Sequence, residues 1–335
     1  MRQIHGVKRP ANIKHACAHC RRAKSRCQGG APCSECLRRR IHCSLDSRTA
    51  EEALFPCRPT SVVISEIPSS NPDRSKRARH YLDLYFEKFH PHWPFIHRGS
   101  FDEDVESPFL VQAMVAIGLW MSDEPDTRSA AIEIHNTLAM AISQQRGVWD
   151  VSAAEDVGSS HCPISTYQAI LLHMIFALMH FGAANLGIDL KPSLTQTNAD
   201  LLNSLVRSCK ARGLLYYPKI LARFSPSDPR PYVWLGIEEI KRFNLALYKV
   251  YRATSSITNR PSDTHVDSRL TARDLQFPLP VNTPLWKAVS RTEWDAAAHV
   301  GVFDALLGDV KDDMWISRAA DACDFDHELD YTLQD

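Results

Sequence analysis

Aromatic residues are missing from the first 43 residues, although they make up 9% of the 335-residue chain. Proteins that bind single-stranded nucleic acid stack the bases on exposed aromatic side chains, so this absence argues against single-strand binding there. The first 16 residues also lack an apolar run of the length that a secretory signal requires. We therefore expect a soluble intracellular protein.

Motifs typical of enzyme sites are also missing. The chain contains no G-x-G-x-x-G, P-loop, G-x-S-x-G or H-E-x-x-H pattern. It has only 13 glycines, which argues against loops that cradle phosphate groups. An enzyme over residues 76–300 is therefore the weaker interpretation, and we expect no enzymatic activity.

Alternating runs of β-branched residues, which are typical of strands, are scarce in this chain. In the segment 76–89 the apolar residues instead recur every three or four positions, which places them on one face of a helix. We interpret residues 76–300 as one all-α domain. Further helices are predicted at 108–121, 128–145, 165–182, 198–213 and 231–254.

The most apolar stretch of the chain covers residues 164–182 and has almost the length of a membrane span. It contains Gln168, His173 and His180, whose polar side chains are costly in lipid. We therefore predict a buried helix of a large core and expect no membrane partner.

The formal net charge of zero hides a strong asymmetry. Residues 1–48 carry twelve Lys or Arg against two acids, which suggests a polyanionic partner.

Residues 49–75 contain four prolines and are predicted to be a linker. Residues 301–335 are predicted to be an acidic tail, and in its last 24 residues, 312–335, acids alternate with apolar residues, a composition typical of disordered activation segments. A plain acidic tail is the alternative.

Six of the ten cysteines lie close together in the basic region. The segments CAHCRRAKSRC, 17–27, and CSECLRRRIHC, 33–43, share the spacing C-x2-C-x6-C. Without secretion, such a cluster is typical of metal ligands rather than disulfides. The predicted ligands are Cys17, Cys20, Cys27, Cys33, Cys36 and Cys43.

Three sulfurs from each half leave a structural tetrahedral zinc one ligand short. The count closes if two zinc ions share two bridging thiolates. A closed all-sulfur site has no position for a reactive water, so it is structural rather than catalytic. The metal would also supply the folding energy, since about 27 residues cannot bury a sufficient core.

This cysteine array resembles the binuclear zinc cluster of fungal transcription factors. The resemblance implies that Cys17 and Cys33 are the bridging ligands, and that a short helix after Cys20 enters the DNA major groove at a CGG triplet. It also implies a sequence-specific regulator of RNA polymerase II transcription located in the nucleus.

The basic residues of the first half then have distinct expected roles. Lys24 falls where the family's base-reading lysine lies, and a Lys can donate to G O6 and N7. Arg21, Arg22 and Arg26 are expected to contact mostly phosphates, which fix the register without reading sequence. Ala23 departs from the family, which usually has Lys or Arg at this position.

The later part of the chain resembles the fungal-specific transcription factor domain. The similar segments are YFEKFHPHWPFIHRGSFD, 85–102, WLGIEEIKRFNLALYKVYR, 234–252, and PLPVNTPLW, 278–286. The resemblance implies a regulatory domain that contacts partners or small effectors. Taken together, the sequence predicts a small binuclear zinc-cluster DNA-binding domain, a linker, an all-α regulatory domain and an acidic tail.

Partners follow from the same reasoning. We expect double-stranded DNA, and transcription machinery contacted by the acidic tail. Residues 44–75 show no heptad pattern for a coiled coil, so the protein binds as a monomer or pairs through the helical domain, and we favour the second. RSKRAR, 74–79, is either a nuclear import signal or the polar start of the first helix.

Two alternatives stay open. The cluster could be an interaction module that binds a protein or RNA partner rather than duplex DNA, because RNA also attracts Lys and Arg. His90, His92 and His97 could form a second metal site, but histidines in a Pro-containing turn are more often packed or solvated.

The bridging assignment yields a direct prediction. Replacing Cys33 with Ser should remove a sulfur shared by both ions, so the variant should lose zinc and its cluster should unfold. The measurement is the zinc content of the purified full chain. Retention of two zinc ions per chain by this variant would refute the assignment.

Overall fold

The computed structural model of the chain describes residues 72–122, 124, 126–151, 164–181, 194–254, 269–298, 303, 307 and 310–319. All of them belong to the second of two compact units, Met1–Pro56 and Cys57–Asp335. Within these described residues the regular structure is helical, and pairing between extended segments is confined to two isolated bridges. The predicted all-α fold of this region is confirmed.

The helices follow the predicted order, and each of the six predicted helices is confirmed to within a few residues. The first continues beyond its α-helical part as a π-helical turn, Tyr85–Phe89, and a 3-10 turn, His90–His92. The described α-helices are α1 (Pro72–Leu84), α2 (Pro108–Trp120), α3 (Thr127–Gln144), α4 (Arg146–Trp149), α5 (Ile164–Phe181), α6 (Gln196–Ala211), α7 (Tyr217–Leu221), α8 (Arg230–Thr254), α9 (Thr283–Lys287), α10 (Arg291–Ala297) and α11 (Ile316–Ala319).

Helix α2 packs against three other helices, α1, α3 and α5, and lies between them. It is apolar on nearly all sides, which is typical of a helix that neighbours surround. Its approach to α1 depends on Gly118, where a Cβ would lie 1.9 Å from the carbonyl oxygen of Tyr81. A larger residue at this position would push the two helices apart.

The apolar stretch over 164–182 forms α5, which is buried continuously from Tyr167 to Ala177. Gln168 lies inside this core, and its Nε2 donates to the carbonyl oxygen of Phe95 at 3.2 Å and to Glu239 Oε1 at 3.0 Å. These bonds offset the cost of burying the amide. The prediction of a buried core helix is confirmed. Among the described helices, none combines the length and the apolar character that a membrane crossing requires.

A pair of stacked histidines joins α3 to α5. The imidazole rings of His135 and His173 are 3.9 Å apart between centroids and lie within 16° of parallel. Burial lowers the pKa of His135 to about 4 and the pKa of His173 to about 3. Both rings are therefore neutral at neutral pH, and they pack as flat aromatic groups.

Residues 310–319 pack against the helical core. The backbone N–H of Ile316 donates to the carbonyl oxygen of Phe277 at 3.0 Å, and that of Ser317 donates to Leu275 at 3.0 Å. The Ile316 side chain is buried, and Trp315 stacks edge-on against Tyr216. The packed helical region therefore extends past residue 300 to Ala319. This differs from the expectation that Trp315 and Ile316 belong to an acidic activation tail, because both side chains have apolar neighbours in the domain.

The histidine pair predicts a pH-dependent stability. In the unfolded chain both imidazoles bind protons below about pH 6.5, whereas the folded protein resists protonation down to about pH 4. Stability should be full above pH 6.5 and should fall as the pH drops from 6.5 towards 4, by up to about 1.4 kcal/mol per pH unit for each histidine. Urea unfolding at stepped pH measures this slope.

The matched comparison is a double variant, His135→Phe with His173→Leu, whose stability should depend less on pH in this range. Gln144→Ala, at an exposed position of α3 that does not titrate, should leave the wild-type slope unchanged. Equal slopes in the double variant and the wild type would contradict this role of the pair.

Candidate functional site

The residues predicted to bind zinc and DNA lie outside the described residues. This applies to Cys17, Cys20, Cys27, Cys33, Cys36 and Cys43, and to Lys24, Arg21, Arg22 and Arg26. Their assignment stays a prediction. The most unusual polar arrangement in the described part of the chain lies instead on α8, and we call it the α8 charge cluster. It consists of Glu238, Glu239, Lys241 and Arg242, which are all buried.

Glu238 is the centre of the cluster, with only 1% of its surface exposed. Its Oε1 accepts a short hydrogen bond from Lys241 Nζ, one helical turn along α8. Its Oε2 accepts from the backbone N–H of Val281 at 3.1 Å and lies 3.9 Å from Arg242 Nε. The carboxylate thus joins two cations of its own helix to the extended segment before α9.

The two cations are buried against different partners. Burial lowers the pKa of Lys241, while the adjacent Glu238 carboxylate acts in the opposite direction. Burial also lowers the pKa of Arg242 to about 10, so its guanidinium keeps its charge at neutral pH. Its Cζ lies 4.5 Å from the centroid of the Trp286 ring in α9, a cation–π contact.

The other polar residues of this region tie α8 to the surrounding core. Glu239 accepts a hydrogen bond from Gln168 of α5, which also bonds the carbonyl oxygen of Phe95. Asn244 Nδ2 donates to the carbonyl oxygen of Leu214 at 2.6 Å. The centre of α8 therefore holds α5, the loop at Phe95 and the connection after α6 in one arrangement.

The segment 234–252 was assigned to a helix from the sequence, but the burial of its charged residues at 238–242 was not predicted. The available signal was their spacing, because Glu238 with Lys241 and Arg242 stands at i, i+3 and i+4 on one helix face. Charged side chains are almost never fully buried unless they are paired, and this spacing supplies the pairing within one helix.

The three histidines near the end of the π-helical turn serve the local fold. His90 Nε2 donates to the carbonyl oxygen of Ile96 at 2.6 Å, and burial lowers its pKa to about 4. His97 Nδ1 accepts from the backbone N–H of Ser100 at 3.1 Å, and His92 is exposed. In the described ranges, no group of three or more His, Cys, Asp or Glu side chains is arranged to hold a metal ion.

Comparison with known families supports both parts of the sequence interpretation. Residues 82–317 match the family model of the fungal specific transcription factor domain, and residues 15–52 match the fungal Zn(2)-Cys(6) binuclear cluster domain. The chain belongs to the fungal specific transcription factor domain family and carries an N-terminal Zn(2)-Cys(6) cluster domain, which binds two zinc ions. Both families are transcription factor domains rather than enzymes.

Three curated relatives, all from Schizosaccharomyces pombe, share parts of the chain. Zinc finger protein zas1 is 33% identical over 29% of this chain, and zinc finger protein klf1 is 28% identical over 30% of it. Zinc finger protein C11D3.17 is 26% identical over 75% of this chain. The matched segments span 10%, 14% and 38% of the relatives' own lengths. No solved structure matches the chain.

The α8 charge cluster predicts that a single conservative substitution lowers the free energy of unfolding by a large amount. Replacing Glu238 with Gln keeps the shape but leaves Lys241 and Arg242 buried without a carboxylate, which should cost about 3 kcal/mol of unfolding free energy. Urea unfolding followed by far-ultraviolet circular dichroism measures the loss. Glu133→Gln, on the exposed face of α3, is the control and should change stability by about 0.5 kcal/mol at most. A similar small effect for both variants would contradict the role of Glu238.

Proposed function

We propose that this protein is a sequence-specific DNA-binding regulator of transcription that acts in the nucleus. The observation that carries the proposal is the double C-x2-C-x6-C array, which lies within the matched zinc-cluster domain and encloses four basic residues in its first half. A structural all-sulfur zinc site can hold a short segment of chain rigid. The basic residues between the ligands are then presented in a fixed arrangement to a nucleic acid.

The proposed mechanism separates sequence reading from backbone binding. Lys24 donates to the O6 and N7 acceptors of a guanine in the major groove, which provides discrimination between bases. Arg21, Arg22 and Arg26 bind phosphates and fix the register of the helix on the duplex. The charge difference between residues 1–48 and the rest of the chain favours contact with DNA through the N-terminal region.

The helical domain and the tail complete the proposal. The large core of the helical domain supports its role as a regulatory domain. Homodimers would form through this domain, because residues 44–75 lack the heptad pattern of a coiled coil. We assign the contact with the transcription machinery to residues 320–335 of the tail, which lie outside the described residues. This segment still holds Phe325, Leu329, Tyr331 and Leu333 among six acids.

Binding of the full chain to a CGG-containing duplex and to a scrambled duplex tests the proposal. The protein should prefer the CGG duplex, and its affinity should fall steeply with salt because phosphate contacts release counterions. Lys24→Ala should reduce the preference by about 1–3 kcal/mol, whereas Arg21→Ala should weaken both duplexes alike and lower the salt slope by about one. Fluorescence anisotropy over a salt series measures both effects.

The matched control is Lys219→Ala, which removes an exposed lysine of the helical domain and should leave both affinities unchanged. Equal wild-type affinity for the two duplexes at physiological salt would exclude sequence-specific recognition of CGG. Preference for a protein or RNA partner over both duplexes would favour the alternative of an interaction module.

A further inference from the structure

The loop between α7 and α8 carries an exposed serine that is followed by proline. The loop covers residues 222–229, between the end of one helix and the start of the next. It contains the segment SPSD, 225–228, whose first three residues are exposed. Ser225 therefore lies at the surface of the helical domain, where another protein can reach it.

The residue before Ser225 holds the loop on the outside of α8. The Phe224 ring packs on Gly236, where an added Cβ would lie 2.6 Å from the Phe224 Cζ. The same ring meets the Tyr232 ring edge-on, at 5.7 Å between centroids. One end of the exposed segment is thus fixed against the helix, and the serine that follows stays outside the core.

Short-range hydrogen bonds close the exposed segment into a turn. The backbone N–H of Asp228 donates to the carbonyl oxygen of Ser225 at 3.0 Å, and the N–H of Ser225 donates to Asp228 Oδ2 at 2.7 Å. The Ser225 Oγ lies 2.8 Å from the Ser227 Oγ and accepts from the Ser227 N–H at 3.3 Å. The side-chain bonds of this turn are exposed, so the turn can open more easily than a packed helix.

The sequence holds two other pairs in which proline follows a hydroxyl residue, and their surroundings differ. Ser107 caps α2 and Thr283 is the first residue of α9, and both are half-buried. The residues that follow each of them are helical, so an extended backbone there requires unwinding. Of the three pairs, Ser225 is the one that is exposed and followed by non-helical residues.

We propose that Ser225 is a phosphorylation site for a proline-directed protein kinase. Proline has no backbone N–H. A kinase groove that offers no acceptor at this position therefore accepts Ser-Pro and discriminates against pairs that would leave an N–H unpaired. The site lies in the helical domain, apart from the residues assigned to zinc and DNA binding.

The modification is a phosphoryl transfer from ATP. The Ser225 oxygen attacks the γ-phosphorus, and the bond from that phosphorus to the oxygen bridging to the β-phosphate breaks. ADP leaves with the electron pair of that bond, and the hydroxyl proton passes to the catalytic carboxylate of the kinase. The kinase and ATP are the co-reactants, and no oxidant or reductant is needed.

The phosphate is expected to open the turn. It carries a charge of about −1.5 to −2 at pH 7. The Asp228 carboxylate, which bonds the backbone N–H of the same serine, then lies beside a like charge. The modification also removes the hydroxyl hydrogen that Ser225 can share with Ser227. The result is a more open loop at the start of α8, the helix that contains the α8 charge cluster.

Incubation of the full chain with a proline-directed kinase and magnesium ATP tests the site. Peptide mapping by mass spectrometry should find phosphate on Ser225. Ser107 and Thr283 should be modified at least about tenfold more slowly, because their backbones must first unwind. No phosphate on Ser225, or equal rates at the three residues, would overturn the proposal.

Three variants locate the modification within the turn. Ser225→Ala should lose the phosphate, and Ser225→Thr should keep it because threonine retains the hydroxyl. Ser227→Ala is the matched control, since Ser227 is exposed in the same turn but is followed by Asp228, and it should still be phosphorylated on Ser225. Phosphate on Ser227 in place of Ser225 would overturn the role of the Ser-Pro pair.

Hydrogen exchange of the full chain, followed by mass spectrometry, tests the opening of the turn. After kinase treatment a peptide covering 224–230 should exchange faster, whereas a peptide from the centre of α8, 238–247, should keep its rate. Kinase-treated Ser225→Ala should exchange like the untreated variant. Unchanged exchange in the loop, or the slower exchange that an ion pair of the phosphate with Arg223 would cause, would overturn the opening.

Discussion

The carboxylate of Glu238 is the contact on which the packing of the second half of the helical domain depends. It binds Lys241 within α8 and the backbone of Val281 in the segment that leads to α9. A buried charge of this kind is stable only while its partners stay in place, because removing one leaves the others desolvated and unpaired. The interaction therefore favours one specific arrangement of α8 and α9 over looser apolar packings.

The zinc-cluster domain and the helical domain are stabilised by different interactions. A zinc cluster of about 27 residues has too little apolar surface for a core, so metal–sulfur bonds must supply the folding energy. The helical domain instead buries whole helices, among them α5, and places paired polar groups such as Gln168 and Glu239 between them. The zinc-cluster region carries excess basic residues, whereas the buried charges of the helical region neutralise one another.

Much of the helical domain could be predicted from the sequence because its signals are local. The 3.6-residue periodicity located α1 to α3, α5, α6 and α8, and the polar residues of α5 distinguished a core helix from a membrane span. The return of residues 310–319 to the core could not be predicted, since it depends on long-range contacts of Ile316 with Phe277. The burial of Glu238 and Arg242 was missed because a charged run is usually solvated.

The cysteine spacing predicted the zinc-cluster family, and the match over residues 15–52 confirms it. The roles of individual residues, such as Lys24, depend on contacts with a partner and therefore stay predictions. Unbiased selection of DNA sites by the full-length protein tests the central claim most directly. The account predicts strong enrichment of CGG triplets among the bound sites. Bound sites without an enriched motif, or with a motif that lacks CGG, would contradict it.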